Sequence, residues 1–101
     1  MKPLNKEEIF KLLKQHRKEL KNYNVIKLGI FGSVLRGDNT KESDIDFIVE
    51  FEEGKKNYDN FIELVLLLEN LLQKKVDLLT MEAISPYMKP KILKEAYFES
   101  I

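Results

Sequence analysis

Cysteine is missing altogether, histidine occurs once, and neither sign of charge is in excess: Lys and Arg number 17, as do Asp and Glu. Without cysteine there can be no disulfide, no thiolate nucleophile and no cysteine-ligated metal. No apolar run approaches the length that spans a bilayer as a helix, which excludes a transmembrane helix. The opening Met-Lys-Pro-Leu-Asn-Lys-Glu-Glu lacks the apolar stretch of a secretory signal, so the expected location is the cytoplasm. The zero formal charge argues against a large nucleic-acid partner, which usually selects a basic excess, but says nothing against a single nucleotide. The lone histidine, His16, sits beside an apolar stripe and is expected to pack rather than to catalyse.

Internal repeats, low-complexity segments and linkers are also lacking. The 101 residues, 44% of them hydrophobic, suffice for one domain with one core, expected to span 1–101. A helix is expected from about Lys6 to Lys21, with Asn5 as its cap and Glu8 completing a capping box. Ile9, Leu12, Leu13 and Leu20 form its apolar stripe, and Lys11, Lys14, Lys18 and Lys21 a solvated face. Tyr23-Asn24 ends it. A strand follows over Val25–Phe31, then Gly32-Ser33, a helical turn over Ser33–Arg36, and a loop at 37–40. Ile45–Phe51 alternates as a second strand. After a charged turn at 52–57, Tyr58–Gln73 reads as the main core helix and Lys75–Thr80 as a third strand. Ser85-Pro86 looks like a cap and first residue of a last helix running to about Ala96, with Pro90 either kinking it or moving its start later. The expected fold is α/β (α+β): a small mixed β-sheet with helices packed on one face.

Three residues break this core-building pattern. Asp44 and Asp46 open an apolar strand, and Asp77 interrupts Val76-Asp77-Leu78-Leu79. A half-buried, unpaired carboxylate is costly and aspartate is a poor strand former, so such violations point to function. Residues two apart on a strand share a face, with Cα atoms about 6.5 Å apart. Asp77 can join them if its strand lies beside theirs. Clustered carboxylates repel one another unless a cation is present, and Mg²⁺ commonly takes few protein carboxylates together with substrate phosphates. Two such ions can activate an attacking hydroxyl and hold a leaving pyrophosphate. Upstream, Gly32-Ser33 ends a strand before a helical turn, where free backbone amides, a close-approaching glycine and the Ser33 hydroxyl suit a phosphate. Taken alone, each aspartate reads as a strand-end cap and Gly32-Ser33 as a plain turn.

Together, Gly32-Ser33-Val34-Leu35-Arg36-Gly37, Ser43-Asp44-Ile45-Asp46 and the later Asp77 resemble the minimal nucleotidyltransferases of the DNA polymerase β-like superfamily. The resemblance covers nearly the whole chain and implies the nucleotidyltransferase fold. It implies that Gly32 and Ser33 contact the triphosphate, that Asp44 and Asp46 bind both Mg²⁺ ions, and that Asp77 is the third carboxylate, on the ion activating the acceptor hydroxyl. Arg36 and Ser43 match the motif as nucleotide-binding positions; Arg36 would touch phosphate or brace the loop by pairing with a carboxylate. It further implies transfer of AMP from ATP, and a HEPN-domain toxin as partner, neutralised by adenylylation of a tyrosine. Three other readings stand beside it: an RNA or small-molecule acceptor, a module neutralising its partner by contact alone, and an inactive structural domain. Tyr87, Met88, Tyr97 and Phe98 are expected in the core or at a docking surface, and Glu50 shares the strand parity of Asp46.

Overall fold

A computed structural model describes residues 4–37, 39–40, 42–55 and 57–101. Asp38, in the expected loop at 37–40, and Lys56, in the expected turn at 52–57, lie outside the described residues. The elements in chain order are α1 (Lys6–Gln15), α2 (Arg17–Asn22), β1 (Val25–Phe31), α3 (Ser33–Arg36), β2 (Ile45–Phe51), α4 (Tyr58–Leu72), β3 (Val76–Thr80), a 3₁₀ turn (Met81–Ala83), α5 (Lys89–Glu95) and β4 (Tyr97–Ser100). The sheet order is β3-β2-β1-β4, with β2 and β3 parallel and the other two pairings antiparallel. A parallel pair needs a long crossover, and α4 supplies it.

Local chemistry accounts for the element ends. The Asn5 side chain accepts a hydrogen bond from the Glu8 amide at 2.8 Å, and Asn57 does the same for the Asn60 amide at 2.8 Å, so each long helix starts on an asparagine cap. Gln73 stops α4 in the left-handed region at φ 53°. Asn24 turns the chain into β1 at φ 65°. The first helix is not continuous to Lys21 as expected. His16 leaves helical geometry at φ −115°, ψ 26°, splitting the segment into α1 and α2. Its Nδ1 lies 2.9 Å from a Glu19 carboxylate oxygen, so the histidine makes a local polar contact at that break.

The core lies between the helices and one face of the sheet. Ile9, Phe10 and Leu13 of α1 and Leu64, Leu68 and Leu72 of α4 meet Leu28, Ile30, Ile45, Phe47 and Val49 of the central strands, all nearly or fully buried. Each such side chain contributes about 1.5–3 kcal/mol by leaving water. The mixed sheet with its core-forming helices is the expected α+β fold. Ile48, on the opposite parity, is also fully buried but lies outside this cluster. Among the described residues no helix is long and apolar enough to cross a membrane.

Two expectations at the C-terminus are corrected. The last helix begins not at Ser85-Pro86 but at Lys89, the later start that was one of the two expectations for Pro90, which occupies the first turn where the missing N–H costs nothing. Ser85–Met88 forms a turn instead, with the Ser85 carbonyl accepting from the Met88 and Lys89 amides at 3.0 and 2.8 Å. And Tyr97–Ser100 is a fourth strand that no sequence signal announced. It pairs with β1, setting Phe98 opposite Gly29. A Cβ at Gly29 would come within 2.5 Å of the Phe98 ring, so the bare glycine makes room for the aromatic.

Candidate active site

The register of the sheet sets three residues in one row at the end where β2 begins. Phe31, the last residue of β1, pairs with Asp46, and Asp46 pairs with Asp77 on the parallel strand β3. Neighbouring strands run roughly 4.8 Å apart, so two carboxylates are held side by side by the backbone itself. Asp46 is half-buried while Asp77 and Asp44 are exposed. Asp44 lies just before β2, close enough to act on Asp46 through space.

This crowding shows in the electrostatics. Burial pushes the Asp46 carboxyl above the usual carboxylate range, and the negative charges of Asp77 and Asp44 push it the same way. The Asp46 and Asp77 carboxyl groups lie within hydrogen-bonding reach, which also favours a proton held between them, while the Arg36 guanidinium opposes the rise. The site therefore presents concentrated negative charge that only partial cationic compensation meets.

The neighbouring wall comes from the turn after β1. Gly32 has φ 78°, a region L side chains rarely adopt, and a Cβ built there would overlap the Asp46 carboxylate. Glycine is thus required twice over, by its backbone and by its neighbour. Ser33 opens the short helix α3, which closes when the Gly32 carbonyl accepts from the Arg36 amide at 3.2 Å and Gly37 ends it in left-handed geometry. The first amides of such a turn have no partner inside the helix. Opposite, α5 and the residue before it contribute Met88, Lys91, Ile92 and Glu95 to an open cleft of about 340 Å³ whose other lining is Phe31, Gly32, Arg36 and Asp46.

The structure therefore gathers Gly32, Ser33, Arg36, Asp44, Asp46 and Asp77 around one end of the central strands. Ser43 is engaged elsewhere. Its hydroxyl accepts from the Thr40 amide at 2.8 Å and meets the Thr40 hydroxyl at 3.2 Å, closing the loop ahead of β2. The α5 residues were absent from the sequence-based site, because spacing in the chain does not reveal which helix lies across a cleft.

The donor set fits Mg²⁺: it is all oxygen, negatively charged and partly desolvated. Among the described residues no three His, Cys, Asp or Glu side chains are gathered tightly enough to form a ready-made cage. Magnesium asks for less than a cage, since one or two carboxylates suffice when substrate phosphates complete the shell.

An Asp-x-Asp leading into β2, a third aspartate in register on the parallel neighbour, and a Gly-Ser turn alongside thus stand together at one end of the sheet. The chain belongs to the nucleotidyltransferase domain family, whose model matches residues 13–98. It is 37% identical over 99 residues to the protein adenylyltransferase MntA of Thermococcus cleftensis, covering 97% of this chain and 99% of that one. Its fold is similar to a solved structure provisionally described as a minimal nucleotidyltransferase, with TM-score 0.78, 29% identity, and coverage of 93% of this chain and 95% of that chain. It is also similar to a crystal structure of a mutant MntA–HpeT toxin–antitoxin pair, with TM-score 0.64, 25% identity, and coverage of 96% and 72%.

Proposed function

We propose that this nucleotidyltransferase uses Mg²⁺ to move AMP from ATP onto a tyrosine hydroxyl of a HEPN-type toxin in the cytoplasm, and so acts as its antitoxin. The observation that carries the reading is the pairing of Asp46 with Asp77 in register, beside a Gly32 whose Cβ position the Asp46 carboxylate fills. The similarity to an MntA named for protein adenylylation, and to a solved toxin–antitoxin pair, supports the choice of acceptor.

Asp44 and Asp46 would hold both ions, and Asp77 would share the one nearer the acceptor. When bound, Mg²⁺ supplies positive charge to the triphosphate and lowers the pKa of the attacking hydroxyl. The turn at Gly32 and Ser33 would hold the phosphates through its first backbone amides and the Ser33 hydroxyl, with the bare Gly32 letting Asp46 stand directly beside them. The acceptor oxygen forms a bond to the α-phosphorus in line with the bond to the β-phosphate oxygen, which breaks. Pyrophosphate leaves with that electron pair, and the hydroxyl proton passes to the exposed Asp77 carboxylate and on to solvent. Arg36, close enough to moderate Asp46, lies in the same cleft and counters charge on the triphosphate.

Incubation of the chain with α-phosphate-labelled ATP, Mg²⁺ and a purified HEPN-type toxin tests this. Label on a toxin tyrosine, lost in Asp46→Asn, is the expected result. Neutralisation of the toxin that survives in an Asp44→Asn/Asp46→Asn double variant would mean that contact alone suffices, and would overturn the transfer mechanism.

A further inference from the structure

The cleft has a second wall that the motifs do not account for. Helix α5 and the residue before it place Met88, Lys91, Ile92 and Glu95 across from Phe31, Gly32, Arg36 and Asp46. Residues 88, 91, 92 and 95 follow helical spacing, so one face of α5 and the turn preceding it looks into the cleft. That face offers two apolar side chains, one cation and, four residues after the cation, the Glu95 carboxylate. Lys91 is exposed, and among the described residues no carboxylate lies within ion-pair distance of its ammonium. Two lysines of α1 differ in this: Lys14 meets Glu99 at 2.8 Å and Lys6 lies 3.9 Å from Glu7. Lys91 thus lines the cleft beside the phosphate-suited turn with its ammonium outside ion-pair distance of the carboxylates that share that cleft, Glu95 and Asp46, and stays available to an anion arriving there.

We propose that Lys91 binds the β- and γ-phosphates of the incoming nucleoside triphosphate, making α5 the opposing jaw of the nucleotide site. The proposal rests on the nucleotidyltransferase reading of the same cleft and adds a residue to it. Gly32 and Ser33 approach the phosphates from the β1 side. Lys91 approaches from the α5 side, and its flexible stem suits a point-charge contact to phosphate. The pyrophosphate portion carries most of the negative charge of the substrate and departs as the leaving group, so a cation there favours triphosphate over monophosphate. Met88 and Ile92, on either side of Lys91 along the helix, supply the apolar part of that wall.

The experiment is a binding titration of ATP and AMP, each with Mg²⁺, to the whole chain and to Lys91→Ala and Lys91→Arg, read by calorimetry. A charge-assisted phosphate contact of about 1.4 kcal/mol corresponds to a tenfold change in Kd. Lys91→Ala is therefore expected to weaken ATP about tenfold and AMP less than twofold, with Lys91→Arg recovering most of the loss. Because Lys91 is exposed, the thermal midpoint of all three proteins should agree, which separates binding from misfolding. Loss of ATP binding below twofold, or an equal loss for ATP and AMP, overturns the assignment of Lys91 to the pyrophosphate portion. Failure of the nucleotidyltransferase reading would look different: the unaltered, folded chain would bind neither nucleotide.

Discussion

Replacing Asp46 by Asn should make the protein more stable while abolishing its chemistry. The carboxylate sits half-buried between β1 and β3, in register with Asp77 and near Asp44. Like charges directly opposed on adjacent strands cost about 0.2–1 kcal/mol. Asp77 is exposed, which screens the repulsion, while desolvation of Asp46 adds to it and Arg36 subtracts, so a net penalty of about 0.5–1 kcal/mol is reasonable. For a domain of this size 1 kcal/mol moves Tm by about 4–8 °C, so Asp46→Asn should raise Tm by roughly 2–8 °C at pH 7 without added divalent cation. The pH dependence has a definite sign. A carboxyl whose pKa is higher in the folded than in the unfolded chain favours folding when protonated. That contribution is complete below the unfolded value and is lost as pH rises through the folded one. At neutral pH the native protein thus carries the whole penalty, and the advantage of the Asn variant should shrink as the pH is lowered toward 4. Thermal unfolding by circular dichroism at both pH values measures it. A lower Tm for the variant at pH 7, or an equal gain at both pH values, would refute the reasoning. Adding Mg²⁺ with ATP should then raise the Tm of the native chain and leave that of the variant nearly unchanged, since only ligand that binds the folded state stabilises it.

Other perturbations have equally direct readings. Gly32→Ala forces an L residue into φ 78° against the Asp46 carboxylate; a cost of about 1–2 kcal/mol from the backbone is expected, with AMP transfer falling at least 100-fold by labelling while the far-ultraviolet spectrum stays native. Leu64→Ala removes a fully buried side chain of α4 from the core, and a loss of about 2–5 kcal/mol should appear in urea unfolding. The Lys14 hydrogen bond, helped by that of Tyr97, holds Glu99 below its usual range, so its stabilisation is present above the unfolded value and disappears as pH falls through the folded one. Glu99→Gln should accordingly destabilise by about 0.2–1 kcal/mol at pH 7 and by nothing measurable near pH 3.

Much of the molecule was legible because its signals are local. Asn5 caps its helix through a bond to the residue three ahead, and β1, α3 and β2 follow from runs of apolar residues stopped by Gly32-Ser33 and Gly37. Asp44, Asp46 and Asp77 stood out because each violates the pattern of its own strand. What stayed hidden depends on distant partners. Tyr97–Ser100 is a strand only because β1 offers a free edge and Gly29 leaves space for Phe98, and neither fact is written in those four residues. The break at His16 sits within an uninterrupted helical periodicity, so pattern alone extends the helix through it. The Ser85-Pro86 cap failed because a better-placed proline, Pro90, set the start of α5 further on. Ser43 carried a motif position, yet its hydroxyl bonds within its own loop, a use of serine that competes everywhere with ligand binding. Lys91 was invisible for the same reason as β4: a residue becomes part of a cleft through the element that faces it.

On the proposed reading, the row Phe31–Asp46–Asp77 would let a small domain hold a catalytic centre without a dedicated cage. The backbone register fixes Asp46 and Asp77 more firmly than side-chain packing could, and Gly32 fits against Asp46 only because it has no side chain. The repulsion built into that row is a standing cost to the empty protein. A bound cation would relieve it, and a triphosphate would complete the coordination that two or three carboxylates leave unfilled. On the proposed reading, instability and affinity share one origin: the charges that weaken the fold alone would be the ones that draw metal and nucleotide together into the site.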